Sequence, residues 1–497
     1  MTDPVVEKLV DRVLLPGFEE PEPPEWLRRA APDLGGVVLY GQNLLRDTDA
    51  ARLAALLHAE SDVVLAVDEE GGDVTRLHYR NGSPTPGNYA LGAADDVELT
   101  AAVATGIGLG LREAGVRWNL APDADVNSAP ENPVIGVRSF GAEPGLVSRH
   151  TAAWIRALEA TGVASCAKHF PGHGDTRSDS HHGLPVVECD ETEWRRVHLP
   201  PFVAAIEAGA RSLMTAHVVL RALDEVPATM SRRLLTDVLR GELGYQGVLV
   251  TDALDMGAIR DGVGTAAGAV AALRAGADAL CLGAIGGEGL YRQVRTAILA
   301  AVDDGALART RLEEAAGRVE ALRAWLRDAP PPGDPAGAPA SAVASGRPDP
   351  ALEVARRAAV GKVPPLTASP VVVEFRGAPN LAVGEAHWDL AAPLTALGRP
   401  PHAVHRLADD EPVRLSAVLA AAQGHPLVVV GRDVPRQAWQ RAAWRVLSAQ
   451  RPDAVLVEIG LPRPDALTDG QCVFVGGAGR PNLQVAAELL TGAVHRP

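Results

Sequence analysis

No stretch of about 18 uninterrupted apolar residues occurs in this sequence, so no segment is expected to cross a bilayer as a helix. Cysteine is scarce: Cys166, Cys189, Cys281 and Cys472 are the four among 497 residues, and they have no framework spacing. That argues against a disulfide scaffold and is read as the reduced thiols of a cytoplasmic protein. The N-terminus, MTDPVVEKLVDRVLLPGFEEPEPP, lacks a basic n-region, and Pro16 and charges break its apolar patches, so it is no secretory signal. Positive charge is also short, since 47 Lys and Arg against 62 Asp and Glu leave a net −15. Such a surface repels phosphate backbones and anionic headgroups, so neither nucleic acid nor a membrane is an expected partner. A 47% hydrophobic content with 22% charged residues is that of a soluble globular protein. The length exceeds one ordinary core, and two domains are expected.

What is present is a repeating pattern. Short apolar runs at 35–40, 63–67, 117–120, 162–167, 212–215, 247–250 and 279–282 alternate with helix-length segments, among them 48–59, 97–113 and 146–160. Runs apolar throughout are what strands covered on both faces require. Strand–helix units repeated over about 300 residues predict an α/β fold with an N-terminal (β/α)8-type TIM barrel, irregular where eight strands cannot be counted. The barrel domain is placed at 1–328. From 329 to 350 the sequence is rich in Pro, Ala and Gly without apolar periodicity, and it reads as a linker. Strand-like runs at 371–375, 427–430, 454–457 and 473–475, with helical segments such as 437–449, make 351–497 a smaller C-terminal α/β sandwich domain.

Barrel enzymes build their sites from loops at the strand C-termini. Here six successive strand ends carry polar groups: Asp68-Glu69-Glu70-Gly71-Gly72, Asp123 with Asp125 and Asn127, Arg138, Lys168 and His169, His217, and Thr251-Asp252. The densest stretch is Lys168-His169-Phe170-Pro171-Gly172-His173-Gly174-Asp175-Thr176, running on to Asp179-Ser180-His181-His182-Gly183-Leu184-Pro185. His169 and His173 have the i, i+4 spacing of a helical metal-ligand pair, but Pro171 and Gly172 rule that helix out. No metal and no other cofactor is expected. A strand-end loop that holds a polar substrate and supplies proton transfer accounts for the residues better. Asp252 is first past its apolar run and should sit at the mouth, whereas Asp255 should begin the next helix, where the dipole favours an acid.

The string KHFPGHGDT followed by DSH and LP resembles the signature of the bacterial β-N-acetylglucosaminidases of glycoside hydrolase family 3. The resemblance covers roughly residues 30–330. It implies that Lys168 and His169 bind sugar hydroxyls, joined by Asp68 and Arg76 after the family's DxEGG signature and by Arg138. It also implies that Asp252, in the string TDALDM, is the nucleophile, and that Asp179 and His181 form the acid/base dyad. A histidine suits that role without large tuning, since its ordinary pKa is about 6.5. Asp179 would fix the ring's tautomer and orientation. Sequence physics leaves His181 and His182 nearly even, and the family's DSH pattern favours His181. Glu70 is expected to support its loop, and His217 is equally a ligand or a buried structural residue. Two positions depart from the pattern: Asp73 stands where the family usually has Arg, and Val137 where Asp commonly precedes the arginine. Both are expected to alter which aglycone is accepted.

The activity this implies is a retaining exo-hydrolase that releases terminal β-linked N-acetylglucosamine through a covalent glycosyl-aspartate. Its substrate would be a small carbohydrate such as a cell-wall or other amino-sugar fragment. Three alternatives stand beside it. One is a phosphate-dependent β-N-acetylglucosaminide phosphorylase, because a neutral histidine base repels an incoming phosphate less than a carboxylate does. The others are a β-glucosidase and, last, a non-catalytic sugar-binding barrel.

Overall fold

The structure, a computed structural model, describes residues 3–176, 183–329, 349–377, 383–384, 387–409, 415–463 and 470–493. Its first ten strands are β1 (Leu14–Pro16), β2 (Val37–Val38), β3 (Leu65–Val67), β4 (Trp118–Asn119), β5 (Cys166–Phe170), β6 (Val186–Val187), β7 (Ser212–Thr215), β8 (Val219–Leu220), β9 (Val248–Thr251) and β10 (Leu280–Gly283). β6 and β8 pair with each other outside the ring. The other eight close a parallel barrel. β2, β3 and β4 are hydrogen-bonded in order, as are β5, β7 and β9. Bridges Trp118–Ala164 and Asp123–Lys168 join β4 to β5, and Val250–Ala279 joins β9 to β10. β10 pairs with β1, and the Gly35 N–H donates to the Leu14 carbonyl to reach β2. β1 is the strand that sequence reading passes over. Three residues ending at Pro16 carry too little periodicity to register.

Side chains alternate across each strand as the pleat demands. Leu15, Val38, Ala66, Trp118, Cys166, Met214, Val250 and Cys281 fill the barrel interior, while Leu14, Val37, Leu65, Leu213, Leu249 and Leu280 face the helical shell. Trp118 satisfies its indole N–H inside the barrel on Ser212 Oγ at 2.8 Å. The helix Arg309–Asp328 seals the N-terminal end of the barrel by adding Val319, Leu322 and Leu326 to the interior cluster. The C-terminal end is left as the polar face.

The second sheet has strands β11 (Val371–Phe375), β12 (Ala403–Leu407), β13 (Leu427–Gly431), β14 (Val455–Glu458) and β15 (Gln471–Phe474), all parallel, in the order β12-β11-β13-β14-β15. Sequence reading overlooks β12, a half-exposed edge whose AVHRL is less apolar than the central strands. Helices cover both faces. Leu483, Ala486 and Leu490 pack on one with Val428 and Val457, and Trp444 and Leu447 on the other with Val429 and Leu456. The helix Pro350–Ala358 places Val354 and Ala358 in the barrel's own apolar cluster. Arg357 reaches Asp96 and Arg356 reaches Glu488, each at 2.9 Å. At the other end Arg436 donates to the carbonyls of Glu131 and Asn132. The carboxyl ends of the second sheet therefore look onto the polar face of the barrel.

Candidate active site

Lysine is rare here, with three in the sequence, at positions 8, 168 and 362. One of them is almost wholly buried. Lys168, near the end of β5, is 2% exposed and places Nζ 2.6 Å from Asp68 and 2.7 Å from Glu70, which follow β3. Burial would discharge the amine, but Asp68 and Glu70 outweigh it and push its pKa up. Glu70 in turn receives a bidentate pair from Arg138 at 2.8 and 3.0 Å. Burial works against its charge, yet Arg138 and Lys168 hold its carboxyl well below the usual range. Arg138 also lies 3.4 Å from His169 Nε2 and 3.7 Å from Asp123. His169 Nδ1 lies 2.8 Å from Asp125, which also accepts the His173 backbone N–H at 2.6 Å. Donation from Nδ1 leaves Nε2 as an acceptor facing Arg138. Arg76 stands 3.9 Å from Asp68 and is turned by its own loop, for its N–H and that of Leu77 donate to Glu69. Burial raises the Glu69 carboxyl to about 7.

The structure thus gathers Asp68, Arg76, Arg138, Lys168 and His169 into one network of buried charges at the barrel mouth. Of these, Asp68 keeps the most exposed side chain, at 19%. Asp252 follows β9, beyond the intervening β7, and its N–H donates to the Thr215 carbonyl. His217, with no exposure, bonds Thr229 Oγ1 at 2.8 Å and the carbonyl of Ala253 at 3.0 Å. It thereby braces the residue after Asp252. Asp255 does not cap the next helix as expected. Its carboxylate accepts the Ile285 N–H at 3.1 Å and lies against Gly283, where an added Cβ would come within 1.9 Å. Burial, with the nearby charge of Asp252, raises it to about 6.

Asp179, His181 and His182 lie outside the described residues. The segment leading to them is anchored, since Asn132 Nδ2 donates to the His173 carbonyl and Thr176 Oγ1 bonds His173 Nδ1. Asp123 and Asp125, noted in sequence as strand-end acids without a role, turn out to orient His169 and Arg138. Among the described residues, Asp123, Asp125 and His169 bring ligand-type atoms within 4.8 Å of one another. The Arg138 guanidinium already supplies the positive charge there, so the trio does not fit a metal. Sequence reasoning also missed the second domain's share of this region. Arg76 donates to the Val383 carbonyl, and Arg432 forms an ion pair with Asp73.

The model of the glycosyl hydrolase family 3 N-terminal domain matches residues 18–322. The chain belongs to glycosyl hydrolase family 3. Beta-hexosaminidase A of Pseudoalteromonas piscicida is 40% identical over 270 residues, 50% of this chain and 45% of that protein, so the chain spans less than half of that relative. A beta-hexosaminidase of Xanthomonas axonopodis pv. citri (strain 306) is 35% identical over 268 residues, covering 51% of this chain and 77% of the relative. Among solved structures, a family 3 beta-N-acetylglucosaminidase from Paenibacillus sp. str. FPU-7 aligns with 98% of this chain and 97% of its own, at 31% identity and a TM-score of 0.86. That last likeness extends over both domains, which carries the barrel-plus-sandwich architecture beyond the reach of the family model.

Proposed function

We propose that this family 3 protein is a retaining exo-acting β-N-acetylhexosaminidase that releases terminal β-linked N-acetylglucosamine. The observation that carries the reading is the buried network at the barrel mouth. Asp68 is held between Lys168 and Arg76, with Arg138 and His169 beside it, in a family whose relatives above bear hexosaminidase names. Carboxylates and fixed cations accept and donate the paired hydrogen bonds that sugar hydroxyls offer. Asp252 would attack the anomeric carbon, forming a glycosyl ester. His181, oriented by Asp179, would protonate the leaving oxygen and later deprotonate water. The four cysteines, all unpaired, fit a reducing compartment, and with it small wall-derived or other amino-sugar glycosides as substrates.

Chromogenic β-N-acetylglucosaminide and β-glucoside, assayed in parallel with and without phosphate, test the activity. Phosphate-independent release from the first is expected, with the β-anomer as initial product. Turnover of the glucoside alone, or sugar 1-phosphate as product, would refute it. The dyad has its own test. His181→Ala should lose about 10²–10⁴-fold on a sugar leaving group but less on a nitrophenolate, with azide restoring turnover. If His182→Ala shows that pattern instead, the assignment moves by one residue.

A further inference from the structure

Open parallel sheets bind ligands in the crevice outside their strand carboxyl ends, at the point where the strand order reverses. In the second sheet that point lies between β11 and β13. The barrel covers it, leaving a cavity of about 390 Å³. On the sheet side it is lined by Arg376, Arg432, Asp433 and Gln440, and on the barrel side by Asp73 and the 132–138 loop. Its volume is within the range of small-molecule sites, about 300–1,000 Å³. Two links tie it to the sugar-binding network. Arg138 lines it and also reaches Glu70 and His169. Arg76, beside Asp68, donates to Val383, another lining residue.

Its chemistry can be read from two further features. Gln440, 2% exposed, spans the crevice: an added Cβ would lie 2.8 Å from its Oε1 at Gly431 and 3.5 Å from its Nε2 at Gly377. That Oε1 is buried with no hydrogen-bond partner, a deficit that a ligand's hydroxyl or amide donor would relieve. The charges on the walls are matched. Arg376 donates to Glu374 and lies 3.6 Å over the Trp388 ring, Arg432 pairs with Asp73, Arg138 with Glu70, and Asp433 faces Arg436 at 3.9 Å. Walls rich in planar donors and acceptors but balanced in charge suit hydroxyls and offer nothing to an isolated carboxylate. Asp73 is one of the two departures from the family pattern, and an arginine in its place would leave Arg432 unpaired.

We propose that this cavity seats the leaving-group sugar, and that Asp73, by neutralising Arg432, sets it for an uncharged saccharide. The inference rests on the hydrolase reading above. It is tested by the fate of the glycosyl-enzyme. Water or an added sugar can attack C1. When a sugar attacks, its hydroxyl oxygen bonds C1 as the C1–Asp252 ester bond breaks, and the hydroxyl proton passes to the base. An acceptor must occupy the place the leaving group vacated, so the transfer-to-hydrolysis ratio reads the cavity and does not depend on the folded fraction. With nitrophenyl β-N-acetylglucosaminide as donor, N-acetylglucosamine and glucuronic acid are compared as acceptors. Wild type should favour the neutral sugar, and Gln440→Leu should cut transfer to it about tenfold. Asp73→Asn, which frees Arg432, should raise the glucuronate-to-N-acetylglucosamine ratio about tenfold. Nitrophenol release without transfer, or with ratios unchanged in both variants, overturns this inference alone. A wild type that releases no nitrophenol overturns the hydrolase reading and this inference with it.

Discussion

The barrel carries buried charge at both ends, and the two ends are built differently. At the N-terminal end Asp278, with no exposure, accepts Arg240 and Arg311 at 2.5 Å, Arg318 at 3.2 Å and the Leu249 N–H at 3.0 Å. One acid is saturated by three arginines, under the helix Arg309–Asp328 that seals that end. At the C-terminal end Asp68, Glu70, Asp123 and Asp125 crowd around Lys168, Arg138 and His169. With Arg76 beside Asp68, four acids there share three permanent cations and one imidazole, and Asp123 Oδ2 has no hydrogen bond. Both clusters cost desolvation. In the lower one the carboxylate itself is fully paired, although Arg240 Nε lacks a partner, and the cluster acts as a staple. The upper one leaves capacity unspent, and unspent hydrogen-bonding capacity beside an opening is what a polar substrate can use.

Amide substitutions separate the two roles. Asp252→Asn should abolish glycosylation whatever the leaving group, a loss on the order of 10⁴-fold or more in kcat, because the neutral amide cannot form the ester intermediate. Its denaturation midpoint should stay near wild type. Asp278→Asn should do the reverse. Removing one partner of a buried ion cluster typically costs about 3–5 kcal/mol, here by leaving three guanidinium groups without their carboxylate. Urea unfolding should show that loss while kcat per folded molecule holds. If Asp278→Asn instead lost activity at unchanged stability, the division of labour between the ends would be wrong.

The legibility of the two ends differed in the same way. The upper residues announce themselves, because Asp68, Arg138, Lys168 and Asp252 each follow an apolar run. Arg138 sits in a turn, Gly136–Arg138, after a run that is strand-like only in sequence. But a charged residue at the end of a buried strand, as Asp68, Lys168 and Asp252 are, is visible in one dimension. Asp278 is not: it precedes β10, and its arginines come from residues 240, 311 and 318, which nothing local connects to it. β1 was lost to its brevity, and β12 to its edge character. The cavity beneath the second sheet was illegible for another reason. Its walls, Asp73 and Arg432, are far apart in sequence, and only the docking of two domains brings them together. The departure at Asp73 could be seen, but not what it faces.

A titration distinguishes the ends next. Burial lowers His173 to about 4, with the carboxylate of Asp125 opposing the shift, so the ring is neutral in the fold. Its folded value lies below the unfolded one, near 6.5. The stability it contributes is therefore complete above pH 6.5 and is lost as the pH falls towards 4. The full difference is about 3 kcal/mol. His173→Gln should flatten that limb of the stability–pH curve, measured by urea unfolding from pH 7 to pH 4. The Asp278 cluster, with Arg240, Arg311 and Arg318, contains no histidine. Equal slopes in wild type and His173→Gln would mean the ring titrates alike in the folded and unfolded chain.

The smallest effect probes the comparison most closely. Asp123 has no exposure, and burial, reinforced by the charge of Asp125, pushes its pKa well up against the opposing pull of Arg138. Its Oδ1 accepts the Asp125 N–H at 3.0 Å, and Arg138 is only within 3.7 Å of Oδ2. Burial and Asp125 thus work against charge on Asp123, which lacks the full set of partners that saturates Asp278. A carboxamide nearly matches a neutral carboxyl in shape and keeps the acceptor that Asp125 needs. Asp123→Asn should therefore change unfolding free energy at pH 7 by less than about 1 kcal/mol, against the 3–5 of a broken buried pair. A loss of the larger size would show that Asp123 is ionised and paired to Arg138. The upper cluster would then be as fully compensated as the lower, and the spare polar capacity at the barrel mouth would have to lie with Asp68 instead.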